Sequence, residues 1–431
     1  MKLSKYALIF NDGNKTILFH LTSERIFVLN PELSKLFHQN EINEIKNIHP
    51  TFYEQLEKNG IIVEDDYDET KALIDKWHTI DNDPTHFGII INPTLNCNLR
   101  CWYCYEEHKV LSNMNNDTLQ SIKKLIDNKL STGVVKSLNV SFFGGEPLLS
   151  FNNIVYPLLT YASELCKEKD VRLSSNFTTN GVLLNQKMLS ELKEIEMYRK
   201  PTFQITFDGN EEYHNKIRYD SQHQPTYNII LSNVIAATKM GFQTFVRFNY
   251  SADNILSFLD VLEDFNAINN LPKDLVRFNF QQVWQDKSNR TEILEQMLKI
   301  KKAFKDDGYQ VDCDDIHHRH VCYADGCNHI VINYNGDIFK CTARDFKHEI
   351  CEGHLTSEGF IEYNERYHHR MSTKYCNKAC LACSILPICN GGCSQNKMEQ
   401  NDFVHCYKNM DETSKKDYVV NRMKEIISQY K

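Results

Sequence analysis

The sequence predicts an α/β protein with three parts: a central partial (β/α)6 TIM barrel, a small N-terminal winged-helix-like module and a C-terminal cysteine-rich domain. From residue 87 onward, strand-like apolar runs alternate with amphipathic helical stretches, which is typical of a parallel sheet. Strands followed by helices precede this region, and beyond about residue 310 the alternation gives way to cysteine-rich loops. We therefore predict domains at 1–78, 87–308 and 309–431, with a polar linker at 79–86.

The N-terminal module begins with three predicted strands. Residues 5–10 and 16–20 flank the pair Asp12-Gly13, which is typical of tight hairpin turns, and residues 25–29 form the third strand. Pro31 suits the first position of a helix, and further helical patterns end near Lys58. The module is either a separate unit or a simple lid on the barrel.

Six strands and six helices are predicted in the central domain. The strands lie at 87–91, 138–143, 171–176, 202–207, 243–249 and 276–283, and the helices at 115–130, 151–168, 186–196, 226–240, 254–267 and 292–305. Polar or glycine-rich sequence follows the strands. Because the active site of (β/α) barrels lies at the C-terminal ends of the strands, we expect these residues to converge on one mouth.

Composition and charge exclude several classes of function. The net charge of -8 offers no overall attraction to nucleic acid or anionic lipid. Apolar runs such as 87–91 are too short to span a bilayer, and no cleavage region of a signal peptide follows the run at 6–10. We expect a cytoplasmic enzyme with no nucleic-acid or membrane partner. In a reduced compartment, 15 cysteines indicate metal binding or catalysis rather than disulfides.

Three cysteines, Cys97, Cys101 and Cys104, form a CX3CX2C array directly after the first barrel strand. Three thiolates on one short loop can hold three irons of a 4Fe–4S cluster and leave the fourth iron open. A structural zinc site needs four protein ligands, and His108 is the nearby residue that could supply the fourth. The spacing favours iron over zinc.

The array resembles the CX3CXφC motif of the radical S-adenosylmethionine (SAM) enzymes, with Tyr103 at the aromatic φ position. The resemblance implies that the open iron binds the amino and carboxylate groups of SAM. The segment Gly144-Gly145-Glu146 resembles the family's GGE motif, which contacts the SAM ammonium group. Further cofactor-binding positions implied by the resemblance are Asn180, Thr206 and Arg218. Without the resemblance, these three read as turn residues and a solvated arginine.

The C-terminal cysteines resemble the SPASM extension of the same family, an iron-sulfur domain that holds two auxiliary 4Fe–4S clusters. The resemblance implies that the first is bound by Cys322, Cys327, Cys341 and Cys393, and the second by Cys380, Cys383, Cys389 and Cys406. The chain would then hold three 4Fe–4S clusters, one that binds SAM and two auxiliary ones, and SAM itself as a further cofactor. A pair of zinc-ribbon sites remains the alternative.

Four further cysteines, Cys166, Cys313, Cys351 and Cys376, have no place in these sets. Cys376 lies four residues before Cys380 and could substitute for it as a ligand. Cys166, on an apolar helical pattern, is predicted to be a packed core thiol.

Family members with two auxiliary clusters mostly modify peptides or proteins, by cross-linking side chains or by oxidising a sulfatase Cys or Ser to formylglycine. The N-terminal module resembles the leader-recognition element of peptide maturases, which binds an extended leader as an added strand. We therefore expect a maturase that installs a thioether or carbon–carbon cross-link in a ribosomally made precursor peptide. Its electrons would come from an external one-electron reductant of the flavodoxin or ferredoxin type.

Two alternatives remain open. Anaerobic sulfatase maturases carry an Asp directly after the cysteine of GX4C, where this chain has Thr342. Other acids that could serve as the base are Asp325, Asp337 and Asp345, all of which are also typical turn or surface residues. The second alternative is a zinc-binding protein with no catalytic activity.

Overall fold

The computed structural model describes residues 1–104, 106, 111–283, 285–286, 290–311, 322–400 and 404–429, so His108 and Cys313 lie outside the described residues. The chain divides into two compact units. One contains residues 1–82, 316–327 and 368–431, and the other contains residues 83–315 and 328–367. Among the described residues, no helix is both long enough and apolar enough to cross a membrane.

The N-terminal segment forms a three-stranded antiparallel sheet followed by helices. Its elements are β1 Lys2–Leu3, β2 Ala7–Asp12, β3 Lys15–His20, β4 Arg25–Leu29, α1 Pro31–His38, α2 Ile42–Ile48, α3 Pro50–Lys58, β5 Ile62–Val63 and α4 Glu69–Asp81. The sheet order is β2–β3–β4, and the predicted hairpin turn places Gly13 at a φ of 59°, in the left-handed region that favours glycine. The predicted linker at 79–86 therefore begins inside a helix, because α4 runs on to Asp81.

The N-terminal segment is not independent of the C-terminal one. Trp77 is fully buried and belongs to one apolar core with Leu386, Val419 and Met423. A single core formed by both ends of the chain explains why residues 1–82 and 368–431 belong to the same unit.

The six predicted barrel strands are present as β6 His86–Ile91, β7 Ser137–Phe142, β8 Arg172–Thr179, β9 Thr202–Phe207, β10 Gln243–Tyr250 and β11 Val276–Gln282. They are parallel neighbours in chain order. The helices of this region are α5 Asn116–Leu130, α6 Tyr156–Glu168, α7 Gln186–Glu194, α8 Glu211–Ile217, α9 Tyr227–Lys239, α10 Phe258–Asn266 and α11 Arg290–Asp306. The predicted alternation of strands and helices is confirmed, and α8 is an additional short helix.

The sheet continues at both edges instead of closing on itself. The added strands are β12 Gln310–Val311, β13 His329–Ile332, β14 Asp337–Phe339, β15 Gly353–Leu355 and β16 Ile361–Tyr363. β12 pairs with β11, while β13 pairs with β6 in parallel and begins an antiparallel meander. The fold is therefore a partial (β/α)6 barrel, as predicted.

The C-terminal segment is helical with cysteine-rich connections. Its helices are α12 Glu365–Ser372, α13 Lys378–Ala382, α14 Leu386–Cys389, α15 Ser394–Gln400 and α16 Glu412–Gln429. Single 3-10 turns lie at Pro147–Ser150, Ile255–Ser257, Lys273–Leu275, Tyr323–Asp325 and His348–Ile350, and a π-turn at Phe151–Val155 leads into α6. The last of these helices, α16, is the longest of the segment.

Candidate active site

The three cysteines of the CX3CX2C array lie just beyond the C-terminal end of β6, at the predicted mouth of the barrel. The Cys101 thiol is close enough to those of Cys97 and Cys104 to interact with both electrostatically. Burial raises the pKa of Cys97 to about 12, so its thiol stays protonated until a metal displaces the proton. Three sulfur donors on one loop fit a cluster held by three cysteines.

Gly144 and Gly145 pack directly on the backbone that leads to this loop. A Cβ atom on Gly145 would lie 2.2 Å from the carbonyl oxygen of Asn96, and one on Gly144 would lie 2.5 Å from that of Thr94. The Gly145 N–H donates to the Thr94 oxygen at 3.1 Å, and the Glu146 N–H donates to the Asn96 oxygen at 2.8 Å. Only glycine permits this close approach, which explains the two adjacent glycines of the motif.

The carboxylate of Glu146 is fully buried and joins the ends of two neighbouring strands. Its Oε1 accepts from the Leu148 N–H at 3.0 Å and from the Thr179 hydroxyl at 2.7 Å, and its Oε2 accepts from the Asn180 N–H at 2.7 Å. A carboxylate offers about four acceptor positions, so one remains for a further donor such as an ammonium group.

Asn180 lies beside the cysteine loop. Its Nδ2 donates to Asn98 Oδ1 at 2.7 Å and lies 3.6 Å from Cys97 Sγ. Thr206 is half-buried on β9, and in the described part of the chain no side-chain hydrogen bond joins it to these residues. The structure therefore joins Asn180 to the loop by a hydrogen bond, and among the described residues it shows no such bond for the Thr206 side chain.

Tyr103 and Arg218 belong to a buried polar network. The Tyr103 hydroxyl donates to Asp208 Oδ2 at 2.8 Å and accepts from Arg218 Nη1 at 2.9 Å and from Asn249 Nδ2 at 3.1 Å. Burial raises the pKa of Tyr103, so the hydroxyl stays a donor. The interpretation of Arg218 as a solvated residue is wrong, because it is 7% exposed and lies 3.4 Å from Asp208. The network ties the cysteine loop to the ends of β9 and β10.

The three candidate bases occupy different surroundings. Asp337 is buried and accepts hydrogen bonds from neighbouring side chains, while Asp325 lines a cavity in the other unit. Asp345 lies in the barrel unit, 18% exposed and 3.3 Å from Lys347 Nζ. Of the three, Asp345 interacts with a residue of the cysteine loop, Glu106.

Glu106 is a feature that the sequence analysis missed. Burial, followed by the nearby charge of Asp345, raises its pKa to about 8. Its Oε2 has no hydrogen-bond partner in the described part of the chain. The sequence shows only that an acidic residue follows Cys104 by two positions. Its burial, which distinguishes it from an ordinary surface acid, is visible only in the structure.

Four C-terminal cysteines line one small cavity of about 50 Å³ in the other unit. They are Cys380, Cys383, Cys389 and Cys406, the set expected for the second auxiliary cluster. Four thiols around one space fit a 4Fe–4S cluster or zinc. The exposed Cys376 thiol does not line this cavity and instead donates to the carbonyl oxygens of Ser372 and Lys374 at 2.9 and 3.2 Å.

The cysteines expected for the first auxiliary cluster belong to both units: Cys322, Cys327 and Cys393 are part of one, and Cys341 is part of the other. Cys322 and Cys393 line a second cavity of about 360 Å³ in the same unit, together with Cys389. The Cys327 thiol is 2.8 Å from Asn82 Oδ1. Cys341 follows β14 in the barrel unit, where the Ala343 N–H donates to its sulfur at 3.3 Å. This ligand set stays a prediction.

Residues 91–265 match the family model for the radical SAM superfamily. The uncharacterized protein MJ0907 of Methanocaldococcus jannaschii is 29% identical over 25% of this chain, which spans only 35% of that relative. The cysteine-type anaerobic sulfatase-maturating enzyme of Clostridium novyi is 25% identical over 74% of this chain and 92% of its own length. The radical SAM cyclopropyl synthase TigE of Paramaledivibacter caminithermalis is 24% identical, with coverages of 91% and 89%.

Two solved structures are similar in fold. anSMEcpe with bound AdoMet and Cp18Cys peptide has a TM-score of 0.59 at 18% identity, covering 80% of this chain and all 100% of that one. Streptococcus suis SuiB bound to precursor peptide SuiA has a TM-score of 0.53 at 14% identity, with coverages of 95% and 100%. At these identities the similarity establishes the arrangement of the strands and helices.

Proposed function

Since the chain contains a radical SAM domain, we propose that it is a peptide maturase that installs a thioether or carbon–carbon cross-link in a ribosomally made precursor. The observation that carries this proposal is the four-cysteine cavity, which adjoins the core of the N-terminal sheet in one compact unit. The names of the relatives agree with such a role, because one matures sulfatases and SuiB binds a precursor peptide.

The described residues would divide the work at the barrel mouth. When bound, a reduced 4Fe–4S cluster and SAM supply a 5'-deoxyadenosyl radical. Cys97, Cys101 and Cys104 would hold that cluster, and Glu146 would accept a hydrogen bond from the SAM ammonium group. Two further 4Fe–4S clusters would be held by the C-terminal cysteines. We also propose a cytoplasmic location and an external reductant of the flavodoxin or ferredoxin type.

Polar side chains on the interior face of the barrel strands favour a polar, extended substrate. Asn139 Nδ2 donates to Ser174 Oγ at 2.9 Å, Ser141 Oγ donates to Asn139 Oδ1 at 2.7 Å, and Asn176 Nδ2 donates to Ser141 Oγ at 3.2 Å. Closed barrels fill this space with branched apolar side chains. A ladder of partly exposed polar groups instead offers hydrogen bonds to a peptide backbone.

The N-terminal sheet would bind the leader of the precursor. Its outer strands are β2 and β4, and Val28 on β4 is 60% exposed. Backbone hydrogen bonds to an edge strand, with pockets for alternate side chains, are a common means of binding extended peptides. Deleting residues 1–78 would remove Trp77 and expose the apolar residues that pack with it, such as Leu386 and Met423, so a surface substitution is the cleaner test.

We expect Val28→Asp to weaken binding of the precursor peptide at least about tenfold, because a charge replaces an apolar contact worth more than about 1.4 kcal/mol. SAM cleavage without peptide should not change. Fluorescence anisotropy with a labelled precursor measures the affinity. Ile80→Asp, at an apolar position that is 47% exposed on α4, is the matched control. Equal losses in both variants would argue against β4 as the leader site.

Asp345 is the base that we assign to proton removal from the substrate. Asp345→Asn should lower the rate of cross-link formation about 10²-fold, which is a usual size for the loss of a general base. Hydrogen abstraction from the peptide should still begin. Mass spectrometry of the peptide and chromatography of 5'-deoxyadenosine separate the two yields. Asp170→Asn, at an exposed turn, is the control. A parallel fall of both products would contradict the assignment.

A second function, the oxidation of a sulfatase cysteine to formylglycine, is supported by the long match to the Clostridium novyi enzyme. Thr342 stands where the resemblance would require an Asp after Cys341. Incubation with a sulfatase-derived cysteine peptide tests this alternative.

Metal analysis tests the proposal against a zinc-binding protein. The anaerobically purified protein should be brown and hold about 12 iron atoms per chain, since three 4Fe–4S clusters contain four irons each. Elemental analysis and acid-labile sulfide give the result. A colourless protein with zinc in the four-cysteine sites would refute the enzymatic role.

A further inference from the structure

A second kind of donor set lies on the meander that follows the barrel. Asp337, His348 and Cys351 each offer one ligand atom, and these atoms all lie within 4.8 Å of one another. The three residues belong to one unit and come from β14, from the 3-10 turn His348–Ile350 and from the residue after that turn. None of them belongs to the cysteine sets expected for the clusters.

The distance between the His348 and Asp337 ligand atoms suits a tetrahedral ion. His348 Nδ1 lies 2.9 Å from Asp337 Oδ2. Two nitrogen or oxygen ligands at 2.0–2.1 Å from zinc in tetrahedral geometry lie about 3.3 Å apart, so a shift of a few tenths of an ångström would bring this pair to the spacing that zinc needs. The Cys351 sulfur lies within 4.8 Å of both atoms and would move closer to complete the set. A mixed set of carboxylate oxygen, imidazole nitrogen and thiolate sulfur is one that zinc accepts.

The carboxylate of Asp337 is held in place by partners outside this set. It is 2% exposed, and Asn335 Nδ2 donates to its Oδ2 at 2.8 Å. His354 stands opposite Asp337 in the β14–β15 register, with its Nδ1 3.3 Å from Oδ1. Such outer partners orient a ligating carboxylate and are typical of metal sites.

We propose that Asp337, His348 and Cys351 bind one Zn²⁺ ion, that His354 orients the carboxylate, and that water takes the fourth position. The ion would fasten β14 to the following turn and so fix the strand that ends two residues before Cys341. The assignment does not depend on the proposed peptide chemistry. Its competitor is a plain ion pair between Asp337 and the two imidazoles, in which Cys351 has no part.

Zinc binding by the cluster-loaded protein tests this site. The anaerobically prepared protein is dialysed against ZnCl2, and zinc, iron and sulfide are measured for the wild type, His348→Ala and Cys351→Ser. We expect each variant to lose one zinc per chain with iron and sulfide unchanged. His369→Ala, which removes an exposed histidine from α12, should keep the zinc. Zinc K-edge absorption should show one sulfur at about 2.3 Å and three nitrogen or oxygen atoms at about 2.0–2.1 Å.

Two results would overturn the proposal. One is an unchanged zinc content in both variants. The other is a shell of four sulfur atoms, which would place the zinc in the cluster sites. The His348 side chain is 76% exposed, so His348→Ala should fold normally and decides the question if Cys351→Ser does not fold.

Discussion

Replacement of Cys97, Cys101 and Cys104 together by Ala should abolish formation of 5'-deoxyadenosine. The variant loses all three sulfur donors of the loop beyond β6, and with them the iron that would bind SAM. Iron should fall by about one third, since one cluster of three is removed. Liquid chromatography of the nucleoside products after anaerobic reduction measures the activity.

Cys166→Ala is the control for that variant. It removes a thiol on α6 that is 2% exposed and lies in the core, outside every expected cluster. Its iron content and SAM cleavage should equal those of the wild type. Undiminished SAM cleavage by the triple variant would remove Cys97, Cys101 and Cys104 from the proposed site.

Glu146→Gln should lower the rate of SAM cleavage on the order of 10²-fold. The buried carboxylate accepts three hydrogen bonds, from Leu148, Thr179 and Asn180. Glutamine keeps one oxygen and turns an NH2 group toward at least one of these donors. The neutral amide would also lose the charge-assisted hydrogen bond proposed for the SAM ammonium group, and a loss of about 3 kcal/mol in the transition state corresponds to about two powers of ten in rate.

Glu194→Gln, at an exposed position on α7, is the matched control. Cluster content should stay constant in both variants, because among the described residues the Glu146 carboxylate is hydrogen-bonded to Leu148, Thr179 and Asn180 and to none of the predicted cysteine ligands. SAM cleavage by Glu146→Gln at the wild-type rate would show that the GGE carboxylate has no part in SAM positioning.

Local patterns were sufficient to predict the barrel. The alternation of apolar runs gave β6 to β11 within three residues at each end, because strand and helix periods are local properties of the chain. The helix α8 was missed, since Glu211–Ile217 is short and largely polar. The first residues of the predicted linker are helical because α4 runs to Asp81, and the burial of Trp77 on this helix depends on residues more than 300 positions away.

The site could be predicted in part. The CX3CX2C and Gly-Gly-Glu motifs are continuous in sequence and could be recognised there. The structure explains the second glycine, because a side chain at Gly145 would collide with the backbone of Asn96. The role of the Tyr103 hydroxyl was not visible, because its partner Asp208 lies 105 positions away. Burial of Arg218 and Glu106 likewise depends on tertiary packing, which residue type alone does not reveal.

Hydrogen transfer from a deuterated peptide is the most direct measurement of the proposed reaction. The reduced protein is incubated anaerobically with SAM and with a synthetic precursor peptide, chosen from short open reading frames next to its gene and labelled with deuterium on its side chains. We expect the peptide to lose two hydrogen atoms for each 5'-deoxyadenosine formed, with deuterium in the nucleoside. Deuterium-free 5'-deoxyadenosine together with a peptide of unchanged mass would contradict a peptide cross-linking maturase.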